Sequence, residues 1–245
     1  MKKVLKQLLL IREFRIIIGK LRFFYFTKIK RSIKILESKD AIDHTVKHNL
    51  KSLNVFGGER MNKIIKPIAV LENVPKNAKI LVIGPRNEDD ILNLVGNGFS
   101  SKNIIGLDLI SYSPLIEVGD MHQTRFQDSY FDVIICGWTL SYSNKPEKFA
   151  QEAVRILKNK GVIGIGVEYS TLTDEQSMAV HGGYHLKPEG LERINSTQQI
   201  LNLFGGNVDT VFFNHDAPNK ISHGSSLNSN VSNVISVFSI KKDKA

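Results

Sequence analysis

"KILVIGPRNEDD", residues 79–90, sets four apolar residues, Ile80 to Ile83, ahead of a single glycine, Gly84, and a polar turn. An unbroken apolar run of this length fits a strand buried on both faces of a parallel sheet, and a polar turn at its carboxyl end fits a ligand-holding loop. Outward from it the pattern repeats. Residues 87–95 are expected as a short helix, closed by Gly96 and Gly98. Strands are expected over 103–108 and 131–137, with a weaker one over 114–118. An amphipathic helix over 146–158 follows, with Pro146 in its first turn, where a missing N–H costs little. Then come a strand over 161–168, a helix over 189–204, and strands over 208–214 and 234–240.

Strands alternating with helices imply right-handed crossovers and a parallel sheet covered on both faces. The last two strands have only the polar stretch 215–233 between them, so they are expected to pair antiparallel. The expected fold is α/β and Rossmann-like. It has a mostly parallel seven-stranded sheet with an antiparallel terminal strand, helices on both faces, and an N-terminal basic helical extension. The extension is assigned to residues 1–60 and the main domain to 61–245. Within the join, Gly57-Gly58 reads as a turn, a helix begins near residue 59, and Pro75 marks a linker.

The composition is that of an ordinary globular chain, with 42% apolar and 23% charged residues among 245. A single cysteine, Cys136, excludes an internal disulfide and a cysteine-built metal site. The net charge of +9 sits in one place: residues 1–37 hold eleven Lys or Arg against two acids, and the remainder balances. That arm is also apolar. Val4, Leu8, Ile11, Phe14, Ile18, Leu21, Tyr25 and Ile29 recur at helical spacing, and no run approaches the ~20 residues needed to span a bilayer. Arg12 interrupts the opening apolar stretch too early for a signal peptide. Three readings of the arm compete: packing on its own domain or a partner helix, a peripheral helix on an anionic membrane, and a nucleic-acid contact. The last is disfavoured because the aromatics cluster in "FFYF" instead of interleaving with the cations.

Ligands of open α/β sheets sit beyond the carboxyl ends of the strands. Two acids fall there. Asp108 closes the second strand 24 residues past Gly84, where a carboxylate can accept from ribose hydroxyls. Asp120, in "VGDMH", can accept from an exocyclic amine such as that of adenine. One such acid reads as an ordinary helix cap; two on successive tips after a glycine turn point to a nucleoside-like ligand.

The stretch "GDMHQTRFQDSYFDVIICGWTLSYSNKPEKFAQEAVRILKNKG" resembles the middle of the class I S-adenosylmethionine-dependent methyltransferases. The resemblance lies in the "GDM" acid, "F-x-D-x-x-FD" before a strand, the "P-E-K" helix start and "E-A-x-R-I-L-K" before a glycine, together with the antiparallel last strand. It runs closely over 78–168, reaches 240 in strand order, and omits the arm. It implies S-adenosylmethionine as cofactor. It also implies that Gly84 lets the backbone approach it, Asp108 holds the ribose, Asp120 takes the adenine amine with Met121 against the ring, and Gly137 and Trp138 line the methionine end.

The family's first turn usually reads Gly-x-Gly-x-Gly, and here Arg86 and Glu88 stand at the second and third glycines. Arg86 is a candidate partner for the cofactor carboxylate. Asn87 is a candidate helix cap with Asp90 completing a box, while Glu88, Asp89 and Asp90 suit the helix dipole.

For a catalytic base, His122, Tyr142, Glu168, His181 and His185 all fall near strand tips, and His122 and Glu168 are favoured. "HGGYH" at 181–185 has no set third ligand, so no metal is expected. The expected activity is methyl transfer to a small-molecule, lipid or glycan acceptor in the cytoplasm, at the inner membrane surface if the arm binds lipid. The rival is a non-catalytic relative acting as a binding or scaffold protein. A nicotinamide oxidoreductase is disfavoured by the absence of a "GxGxxG" turn.

Overall fold

The computed structural model describes residues 6–36, 46, 49–180, 192–216 and 231–242. Its strands, in chain order, are β1 (Lys34–Ile35), β2 (Ile80–Ile83), β3 (Ile104–Asp108), β4 (Ile110–Ser111), β5 (Ile116–Val118), β6 (Phe131–Gly137), β7 (Leu157–Ser170), β8 (Val208–His215) and β9 (Val231–Ile240). The helices are α1 (Arg12–Phe24), α2 (Asn62–Ala69), α3 (Asp89–Gly96), α4 (Pro146–Ile156), α5 (Asp174–Val180) and α6 (Thr197–Phe204).

Seven strands form one sheet in the order β5-β3-β2-β6-β7-β9-β8. β5, β3, β2, β6 and β7 run parallel, and β9 is antiparallel to both of its neighbours. The fold expected from sequence is the fold found. Alternate residues along β2 explain why the sheet needs helices on both sides. Ile80 and Val82 pack with Ile64, Ile68 and Ile91 of α2 and α3, whereas Leu81 and Ile83 pack with Phe149, Ile156 and Ile200 of α4 and α6.

Several expectations are corrected. Strand β7 is 14 residues long and begins at Leu157. Residues 157 and 158, expected at the end of the helix, and 159–160 belong to this strand, with a register irregularity opposite Phe131 and Val133. Within the described residues, 192–196 are not helical. Helix α6 starts at Thr197, where the Ser196 hydroxyl accepts from the Gln199 N–H as its cap. Residues 189–191 lie outside the described part. A helix, α5, stands after β7, where the sequence pattern assigns no element. At α3 Glu88 is the N-cap residue, without a side-chain bond, and the expected capping by Asn87 comes from one position earlier. Asn87 accepts from the Asp89 N–H at 3.0 Å and donates its amide to the Val55 carbonyl at 2.7 Å.

The arm packs on the domain, which selects the first of the three readings for one of its faces. The inward face differs from the periodic apolar row. Phe14 and Ile18 join the core, but Ile11, Leu21, Tyr25 and Ile29 of that row are exposed. What faces inward is Arg15, 1% exposed, and Gly19, where an added Cβ would lie 2.5 Å from the Phe56 ring. The end of the arm, β1, pairs antiparallel with β4, and the Leu36 N–H donates to the Leu109 carbonyl at 2.8 Å.

Candidate active site

The parallel strands place their tips side by side. Ile83 pairs with Leu107, Asp108 with Val118, Ile83 also with Cys136, and Gly137 with Gly166, so Asp120, Asp108, Gly84, Trp138 and Glu168 follow one another along the carboxyl edge of the sheet.

The turn after β2 is built by conformations that glycine favours. Gly84 has φ +66°, and the space a side chain would need is filled: an added Cβ would lie 1.8 Å from Thr139 Oγ1. Arg86, at the position of a family glycine, also has φ +52°. A non-glycine residue held there stores roughly 1–3 kcal/mol of backbone strain. One contact that holds it is visible: the Arg86 N–H donates to Asp108 Oδ2 at 3.0 Å.

Asp108 is buried, and its other oxygen accepts from the Ile110 N–H at 3.3 Å. Burial pushes its pKa up, against the pull of these backbone donors. The acid expected to grip ribose therefore also ties the tip of β3 to the turn. The Leu109 N–H is a third such donor, so of a carboxylate's four or so acceptor positions about one remains.

The acids after the turn have a different role from the one expected. Glu88 is fully buried and takes Arg22 of the arm in a two-pronged ion pair, with Nη2 at 2.8 Å from Oε1. The Ser113 hydroxyl donates to the same carboxylate. Asp89 takes Arg15 Nε at 2.7 Å and the Gly57 N–H at 2.9 Å. These negative charges are neutralised by the arm, so they do not stand free to repel a ligand carboxylate. Asp90 is raised to about 7, by burial first and by neighbouring Asp89 second.

Beyond β5, Asp120 Oδ1 accepts from the His122 N–H at 2.8 Å and lies 2.6 Å from His122 Nδ1. The His122 hydrogen bond holds the Asp120 carboxyl below its usual range. His122 Nε2 is in turn 2.7 Å from Ser143 Oγ. Asp120, His122 and Ser143 thus form a continuous hydrogen-bonded line. Met121 packs partly buried against the core beneath.

Past β6, Gly137 is backed by the Met61 thioether. Trp138 is 4% exposed with φ +60°, and its Nε1 is the one buried side-chain donor without an acceptor among the described residues. The Arg60 guanidinium lies 4.9 Å from the Trp138 ring centroid and donates to Glu168 Oε1 at 2.8 Å. A cavity of about 300 Å³ opens here, its wall including Trp138, Tyr142, Ser143, Glu168 and Arg193.

The arrangement fits S-adenosylmethionine in three respects. Asp120 is half-exposed and has an oxygen open toward an amine. Asp108, at the tip of β3, is buried beside the turn where the ribose was expected. The unsatisfied buried indole N–H of Trp138 stands in the cavity wall, on the residue expected to line the methionine end. Sequence reasoning missed Ser143, which lines the cavity and is tied to the distant His122, and Arg60, which sits behind it on Glu168 and Trp138. The one local signal was the serine two residues before the N-cap of α4, where its Oγ accepts from the Lys145 N–H at 3.1 Å. His181 and His185 lie outside the described residues.

A family model described as "Methyltransferase domain" matches residues 95–165. The match takes in Asp108, Asp120 and Trp138 and starts after the altered turn. No curated protein matches the sequence. Among solved structures, a chain of the Haloferax volcanii complex containing the Trm112 methyltransferase activator superposes with TM-score 0.55 at 15% identity, covering 85% of this chain and 100% of that one. The N-methyltransferase NodS of Bradyrhizobium japonicum, bound to S-adenosyl-L-homocysteine, gives 0.54 at 13%, covering 82% and 100%. The [4+2]-cyclase SpnF gives 0.51 at 11%, covering 86% and 98%, so at such identities the likeness is one of fold. The chain has the fold of the class I S-adenosylmethionine-dependent methyltransferases, and its residues 95–165 match the methyltransferase-domain model.

Proposed function

We propose that the protein transfers a methyl group from S-adenosylmethionine to a small-molecule, lipid or glycan acceptor held in the cavity beside Trp138. The observation that carries this is the cavity's position: it lies at the tips of β6 and β7, with a charged wall at Glu168 and with Ser143 in the wall joined through His122 to Asp120. Asp120 and Met121 hold the adenine, Asp108 the ribose, and Gly84, Arg86, Gly137 and Trp138 the methionine end. The cofactor supplies an electrophilic methyl sulfonium, so orientation of the acceptor provides much of the rate. A proton leaving the acceptor passes from the cavity to His122 through Ser143 Oγ, and Asp120 stabilises the imidazolium that forms. Glu168, tethered by Arg60, orients an acceptor hydroxyl or amine or takes its proton directly. The division at residue 60 separates an anchoring extension from the catalytic domain. The setting is the cytoplasm, at the inner membrane surface.

A second reading, a binding or scaffold protein that has lost the cofactor, is favoured by Arg86 in the turn and by the backbone donors already on Asp108. Calorimetric titration with S-adenosylmethionine separates the two, with Asp120→Ala as control. Saturable heat that the variant weakens supports transfer, and no heat at millimolar ligand supports the scaffold. A screen for methylated products then identifies the acceptor.

A further inference from the structure

Helix α1 is amphipathic in an unusual sense, because both of its sides are engaged or engageable. The inward side is fixed by Arg15 and Arg22 on Asp89 and Glu88. The outward side carries Ile17, Leu21 and Phe24, at 55%, 62% and 58% exposure, spaced four and three residues apart. The stripe is prolonged by Leu10 and Ile11 before the helix and by Tyr25, Ile29, Ile33 and Ile35 after it, all exposed. Lys20, Lys28, Lys30, Arg31 and Lys34 are exposed along the same segment and form no ion pair among the described residues. The acid within the described arm is Glu13. The arginines that face inward are neutralised, so the cations left over belong to the outward surface.

We propose that this outward face of the arm docks on an anionic membrane surface, with Ile17, Leu21, Phe24 and Ile29 inserted at the headgroup boundary and the lysines on lipid phosphates. Three features select a bilayer over a protein groove. One side of the helix is already buried in its own domain, so only a shallow stripe remains. A groove grips more of a helix than that, whereas interfacial insertion of about 5–10 Å needs no more. Exposed aromatics, Phe24 and Tyr25, sit together within the stripe, and exposed lysines at 20, 28, 30 and 34 flank it, as interface-seeking and snorkelling residues do. No described helix is long and apolar enough to cross a membrane, so the contact is peripheral.

The inference deepens the cytoplasmic, inner-surface setting given above and rests on that reading for the leaflet alone. It also bears on the acceptor. The same helix clamps the turn after β2, and β1 runs along β4 beside Asp108. Docking therefore brings the site's edge close to the bilayer, which favours an amphiphilic acceptor.

The test is co-sedimentation of the full-length protein with vesicles of phosphatidylcholine plus phosphatidylglycerol, and with phosphatidylcholine alone, without cofactor. The expected result is binding to the anionic vesicles only, weakened by salt. Each of Lys28→Ala and Lys30→Ala should lower partitioning about fivefold, and the triple variant Ile17→Glu, Leu21→Glu, Phe24→Glu should abolish it while melting as the parent does. Equal binding to both vesicle types, full binding by the triple variant, or self-association through this face without sedimentation overturns the proposal. Cofactor titration in the absence of vesicles reports on the methyltransferase reading separately, so either idea can fail alone.

Discussion

Replacing Arg15 by methionine tests whether the arm is an integral part of the fold. Arg15 is 1% exposed and donates to Asp89 at 2.7 Å, to Glu59 at 3.0 Å and to the Leu9 carbonyl at 3.2 Å. Methionine keeps most of the length and the apolar stem but leaves the Asp89 carboxylate buried without its cation. Breaking a buried pair from one side costs about 3–5 kcal/mol. The lower end applies here, because Asp89 keeps the Gly57 N–H and Glu59 is half in water. The expected loss is therefore about 3 kcal/mol, a large part of the ~5–15 kcal/mol that holds a domain folded. For a chain of this size it lowers Tm by about 6–12 °C. Urea denaturation and calorimetry measure it. The double variant Arg15→Met, Asp89→Leu removes both charges and should recover most of the loss, since an apolar pair of similar volume replaces a buried ion pair at little cost. A single-variant loss below about 1 kcal/mol, or a double variant no better than the single, refutes the reasoning.

Arg86→Gly relieves a left-handed residue and should raise stability by about 0.5–1 kcal/mol, net of the added chain entropy, with tighter binding of S-adenosylmethionine in calorimetry. Gly84→Ala should cost at least about 2 kcal/mol, because the new Cβ meets Thr139 Oγ1 at 1.8 Å; adding Thr139→Ala should relieve the worst of the clash, leaving the residue 139 Cβ at 2.8 Å and the strain of φ +66°. Asp90 binds a proton in the native state up to about pH 7, whereas the unfolded chain releases it near pH ~4. Stability should therefore fall as pH rises through that window, and Asp90→Asn should flatten the profile and stabilise at neutral pH. The full ~4 kcal/mol of a three-unit shift is an upper bound, as the side chain keeps some solvent contact. His122→Ala should let the Asp120 carboxyl rise toward its ordinary range, read by carboxyl-carbon NMR titration; an unmoved Asp120 removes the link between them.

The strands were legible because their signals are local. Ile80 to Ile83 and the run from Val133 to Cys136 are apolar at every position, which only a doubly covered sheet explains, and the polar loop before β9 announced the antiparallel end. The acids at the tips followed from the same register. What the sequence hid are interactions between distant segments. Nothing near Arg15 or Arg22 names Asp89 or Glu88, so the acids of the turn were read as dipole partners and the arm's apolar row as its buried face. Ser143 entered the site through His122, and Arg60 through Glu168, neither with a periodicity to betray it. The start of α6 was misjudged because Ser196 acts as a cap within a run that otherwise reads as helix.

The anchoring of the arm has a consequence for biosynthesis. Its two arginines wait for acids 74 and 66 residues further along the chain. At about 5–20 residues per second, translation leaves a gap of roughly 3–15 s before the partners can leave the ribosome. Throughout that interval a greasy, cationic helix is out in the cell with neither face covered, so the nascent chain meets lipid or chaperone before it meets its own domain.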